Sequence, residues 1–213
     1  MRAFDQALQA LTHVPEHHDT GARAIDLRLA VDLPLNQQGE YGRRLALLEE
    51  AEVLARALDD RARLGQALAR VAQVRWITGD HNGAMAAGRQ VLDLAAALGD
   101  SALQVEASLY LGQTYYAIGD FGRATELLRW SMEAADLASG TPMTTLRLRP
   151  RAWLTWILSV LGAFTEGRRH GDDSVMTRGH PLSPCDTPPN SVTGVASKEY
   201  NSEIAPNHTR CAG

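Results

Sequence analysis

Three short phrases recur at a fixed spacing and limit what this chain can fold into. Gly39-Glu40-Tyr41, Gly79-Asp80-His81 and Gly119-Asp120-Phe121 lie forty residues apart, and a weaker copy, Leu161-Gly162-Ala163-Phe164, follows 43 residues after the third glycine. A second mark repeats between them, where Ala57-Leu58-Asp59-Asp60 is matched forty residues on by Ala97-Leu98-Gly99-Asp100. A period of this size means stacked supersecondary units, each burying its apolar face against the next.

Each unit carries two helical patterns. Leu103, Ala107, Tyr110, Leu111, Thr114, Tyr115 and Ile118 step by three and four and so line one face of a helix. Gly119 ends it by taking the left-handed conformation that satisfies terminal carbonyls, and Asp120 caps the helix that follows. That second helix runs through Ala124, Leu127, Leu128 and Ser131 to about Ala138. Tyr110, Leu111, Tyr115, Ala124 and Leu128 are expected in the core. The composition agrees: 45% of residues are hydrophobic and only 6% aromatic, with Ala, Leu, Arg and Glu abundant and few β-branched clusters. The expected fold is all-α, about four antiparallel helix pairs stacked into a superhelix and preceded by one helix.

Leu111-Gly112, Tyr115, Gly119-Asp120-Phe121, Ala124 and Leu128 resemble a tetratricopeptide repeat, with a period longer than the usual one of about 34 residues. Val71-Ala72, Gly79-Asp80-His81 and Ala84 follow the same pattern more loosely, Arg75 standing where an aromatic is expected. The phrases AIDLRLAV, ALGDSALQVEASLYLGQTYYAIGDFGRATELL and RAWLTWILSVLGAFTEG more narrowly resemble the C-terminal repeat region of large bacterial signalling ATPases, including class III adenylate cyclases. That likeness runs from about residue 4 to residue 175 and implies a bacterial signalling context. The cyclase and ATPase parts of such proteins have no counterpart in this sequence.

Residues 1–176 therefore read as one repeat domain, and 177–213 as a disordered tail foreign to the ancestral fold. The tail holds five of the nine prolines, both cysteines (Cys185 and Cys211) and the only lysine, Lys198. The cysteines have no metal-ligand spacing. A net charge of −4 offers no basic face for nucleic acid. The longest apolar run, Trp153 to Phe164, is far below the roughly 20 residues that span a bilayer, and no secretion signal opens the chain. A cytoplasmic location is expected, with neither membrane nor nucleic acid as partner.

The motifs that invite a catalytic reading lack their context. Asp120-Phe121-Gly122 spells the metal-binding tripeptide of protein kinases, but no lysine precedes residue 198 to reach a nucleotide phosphate. The same absence removes the phosphate-binding loop of an ATPase. His13, His17 and His18, beside Glu16 and Asp19, sit around Pro15 in an expected loop and form no closed ligand set. Asp172-Asp173 and Glu49, Glu50 and Glu52 read as solvated helix faces. No catalytic residue, metal or cofactor is expected.

A binding surface is. In solenoids of paired helices, the first helix of each unit lines the concave side. By the likeness to tetratricopeptide domains, Gln73 and Gln113, Trp76 and Tyr116 face that groove, with Gln66, Glu106 and Trp156 as further candidates. Glutamine can both donate to and accept from a peptide backbone, and Trp or Tyr adds a large contact area with a polar tip. Trp76, Tyr116 and Trp156 could equally pack between neighbouring helices, because an aromatic at helical spacing is usually core. The function expected is protein–protein interaction, a scaffold or regulatory groove holding a peptide or a domain. The alternative is a truncated fragment of a signalling ATPase or adenylate cyclase that has lost its catalytic domains, and self-association through an uncapped solenoid end is a third reading.

Overall fold

The computed structural model describes residues 18–137 and 145–176. Those residues form eight helices: α1 His18–Gln38, α2 Tyr41–Ala57, α3 Arg61–Thr78, α4 His81–Leu98, α5 Ser101–Ala117, α6 Phe121–Leu137, α7 Thr145–Val160 and α8 Phe164–Met176. Successive helices pack together and make four hairpins, α1 with α2 through α7 with α8. The expected helix before α1, the histidines His13 and His17, and the tail from Thr177 lie outside the described residues.

The punctuation read from the sequence acts at the backbone. Gly39, Gly79, Gly119 and Gly162 have φ of 72°, 87°, 85° and 78°, a region where a side chain would clash with the carbonyl oxygen that follows. After these and the intervening turns, the Oδ1 atoms of Asp60, Asp80, Asp100 and Asp120 accept from the amides of Arg63, Gly83, Leu103 and Arg123 at 2.9–3.1 Å. Four helices therefore start on the same bond, twenty residues apart, each cap contributing about 1 kcal/mol. Glu40, one methylene longer, makes no such cap for α2.

The apolar stripes meet in two adjoining clusters. One joins Ile25, Leu48, Leu68, Val71 and Val91, and the other Leu109, Leu111, Tyr115, Leu128, Trp153, Leu154 and Ile157. Tyr110, Leu111, Tyr115, Ala124 and Leu128 are all buried, as their spacing predicts. Gly112 allows α5 and α6 to approach, because a Cβ there would stand 2.8 Å from Leu128 Cγ and 3.4 Å from the Ala124 carbonyl oxygen. The small residue of the Leu-Gly motif is thus a packing requirement.

The backbones of the first helices approach in series, α1 with α3, α3 with α5 and α5 with α7, whereas those of α2, α4, α6 and α8 stay apart and are bridged by long side chains, Arg56 to Gln90 and Arg129 to Glu166. Helices that converge on one side and diverge on the other curve the stack. The inner wall is therefore built from α1, α3, α5 and α7.

Candidate functional site

The inner wall carries an aromatic column. Trp76, Tyr116 and Trp156 stand at forty-residue intervals on α3, α5 and α7, and all three are partly buried against the second core cluster. The Trp156 indole N–H donates to the Tyr116 hydroxyl at 2.7 Å. Trp153 meets Trp76 edge-on with ring centroids 5.5 Å apart, and meets Tyr116 at 5.8 Å. Phe121, at the start of α6, lies 5.6 Å from Tyr116. The two readings of these aromatics thus merge: each packs against its neighbours and keeps part of its surface open.

The sequence reading passes over Trp153, which sits in an apolar run and is 5% exposed within the second core cluster. Its place becomes evident once α7 is aligned with α5 at forty residues, which puts Trp153 in the column of Gln73 and Gln113. The 43-residue interval to Gly162 obscured that register, because α7 runs three residues further before its glycine.

The polar candidates fare differently from one another. Gln66 is exposed on α3. Gln73 is half-buried, and its Oε1 accepts from Arg44. Arg44 is the centre of a buried network: its guanidinium donates through Nε and Nη2 to the two Asp32 oxygens and through Nη1 to Asn36 Oδ1 at 2.9 Å. This arginine, 1% exposed, gave no sequence signal as a core residue, and the matching positions in the next units are Ala84 and Ala124. Gln113 is 1% exposed and its Oε1 has no hydrogen-bond partner.

Glu106 accepts from the Tyr110 hydroxyl at 3.0 Å, and the Arg149 guanidinium lies 5.3 Å from the centre of the Tyr110 ring. Burial, with Glu106 adding to it, pushes the Tyr110 phenol well above its ordinary value, so this link between α5 and α7 stays protonated. Away from the groove, Tyr115, Arg123, Glu126, Leu127 and Trp130 line a shallow depression of about 510 Å³ along α6. Arg123 stacks over the Tyr115 ring at 5.6 Å.

No described helix is long and apolar enough to cross a membrane. No family model and no curated protein matches the chain. Solved structures do. A Rap protein complexed with competence and sporulation factor has a TM-score of 0.71 at 14% identity, over 82% of this chain and 46% of that one. The apo form of RapI has a TM-score of 0.69 at 11% identity, covering 83% and 62%. BtubC (BKLC) from P. vanneervenii has a TM-score of 0.68 at 15% identity, covering 92% and 78%. The chain thus spans about half to two thirds of the two Rap structures. At these identities the likeness is one of fold: the chain is a tetratricopeptide-like solenoid of antiparallel helix pairs.

Proposed function

We propose that this protein is a non-catalytic interaction module whose inner wall binds an extended peptide, or an extended segment of a partner protein. The observation that carries the reading is the column Trp76, Tyr116 and Trp156, three half-buried aromatics on successive inner helices fixed by ring contacts and by one hydrogen bond. A preorganised aromatic surface loses little rotamer freedom on binding, and rings of this type are the usual energetic anchors of an interface. The Rap neighbour, solved with competence and sporulation factor, lends support from a similar fold.

Panning a displayed library of random linear peptides on the full chain tests the reading. Selected peptides should bind Trp156→Leu at least tenfold more weakly, while a peptide-binding loss confined to Trp130→Leu, outside the inner wall, would count against it. The narrower affiliation, a repeat region from a signalling ATPase or adenylate cyclase, rests on the sequence phrases quoted above. A genomic reading frame that joins this chain to a phosphate-binding loop would support it.

Self-association is a second reading, favoured by Phe164, Leu161 and Val160. They are 68%, 50% and 49% exposed where α7 turns into α8. Sedimentation velocity across a hundredfold concentration range should show a shift that Phe164→Ser abolishes; a monomer throughout would dismiss it.

A further inference from the structure

Helices α3 and α7 flank α5 on the inner wall; each packs against α5 but not against the other. Even so, the rings of Trp76 on α3 and Trp153 on α7 meet at 5.5 Å, edge to face at 82°. Their contact crosses the face of α5 by side chains alone. On that face lies Gln113, forty residues before Trp153 and one turn before Tyr116, which itself touches Trp153. The glutamine is buried to 1% exposure with its Oε1 unpartnered.

The orphan has a specific origin. Gln73, the counterpart of Gln113 in the preceding unit, gives its Oε1 to Arg44. The residue forty positions after Arg44 is Ala84, so the donor that satisfies Gln73 is missing for Gln113. A buried carbonyl without a donor is uncommon in native proteins and calls for an explanation, although Gln113 shares that state with His81 Nδ1 and Thr155 Oγ1.

We propose that Trp76 and Trp153 form a closed aromatic lid over the Gln113 amide, and that a bound extended chain parts the indoles and donates a backbone N–H to Gln113 Oε1. The inference rests on the groove reading above and adds a closed state to it. Parting the lid swings Trp76, the partly exposed ring, away from Trp153, which is 5% exposed and held in the second core cluster; no backbone contact joins α3 to α7. The indole surface that is uncovered packs on the peptide side chains flanking the donor. An extended peptide suits the site because it offers an N–H to one side about every 7 Å, with side chains between. Closed, the groove excludes chains that cannot supply both elements.

The test uses the tightest peptide from the displayed library. In the free wild-type protein a nuclear Overhauser contact between the Trp76 and Trp153 rings is expected, and saturating peptide should abolish it. N-methylation of one peptide amide should weaken binding at least tenfold. Gln113→Leu, which keeps the volume and removes the acceptor, should cost a similar factor and make that N-methylation nearly silent, within twofold. The wild-type contact and the methylated peptides stand even if the variant folds poorly. A bound peptide that leaves the ring contact intact would overturn the lid. So would methyl scanning with no sensitive amide, while a tenfold loss in Trp156→Leu leaves the groove reading in place. Peptides indifferent to Trp156→Leu as well would end both.

Discussion

The Trp156 indole N–H and the Tyr116 hydroxyl, forty residues apart, are joined by a 2.7 Å hydrogen bond that ties α7 to α5 along the inner wall. Neither ring is fully buried, so the bond fixes the orientation of surfaces that remain partly open. Tyr116→Phe should lower stability by about 0.5–1.5 kcal/mol, the usual net value of such a bond. In a double-mutant cycle with Trp156→Phe the two losses should be less than additive. Additive losses in urea unfolding would mean that the bond contributes nothing.

Asp59 and Gly99 occupy equivalent turns between hairpins, with φ of 52° and 66°. Asp59 is the one non-glycine with positive φ among the described residues, and bears a steric cost that Gly99 avoids. Asp59→Gly should therefore raise stability by up to about 1 kcal/mol, and Gly99→Ala should lower it by about 1–2 kcal/mol. The midpoint of denaturant unfolding reads both.

The Arg44–Asp32 pair is nearly closed to solvent, with side chains 1% and 12% exposed. Removing one partner leaves a charge behind in the interior, so Asp32→Ala should cost on the order of 3–5 kcal/mol. Arg44→Met with Asp32→Leu should recover most of that loss, because the apolar pair leaves no unpaired charge. A double variant as unstable as Asp32→Ala would show that Asn36 and Gln73 depend on the arginine for more than charge balance.

Tyr110 links stability to alkaline pH. Its phenol is held above the ordinary value of about 10 in the folded protein, chiefly by burial. The unfolded chain loses that proton first, so stability is intact below about pH 10 and declines as pH rises beyond it. Tyrosinate absorbance should show one of the described tyrosines ionising only as the protein unfolds, and Tyr110→Phe should remove this step.

Much of the architecture was legible because it rests on local chemistry. Glycines at forty-residue intervals need their left-handed φ, and aspartates beside them need only the adjacent amides. The stripe expected from Leu103 to Ile118 is buried as far as Tyr115, but α5 is buried all round over residues 107–115 and Ile118 is 46% exposed. The candidate site was legible only in part. The column of Trp76, Tyr116 and Trp156 follows from the period, but the burial of Gln113 and the ring contact between Trp76 and Trp153 arise only when three helices pack together. Arg44 was invisible for a related reason. An arginine in a helical pattern reads as surface unless the acceptors Asp32, Asn36 and Gln73, brought together from α1 and α3, are known to surround it.

The four tryptophans allow the central claim to be tested in one measurement. Trp76, Trp153 and Trp156 share the inner wall, while Trp130 lies on α6, 43% exposed beside the separate depression. Fluorine NMR of the full chain labelled with 5-fluorotryptophan, titrated with a library-selected peptide, follows all four at once. A groove that binds an extended chain predicts that the three inner resonances shift together and saturate at one affinity while Trp130 holds still. A shift confined to Trp130, or saturation with the inner three unmoved, would contradict it.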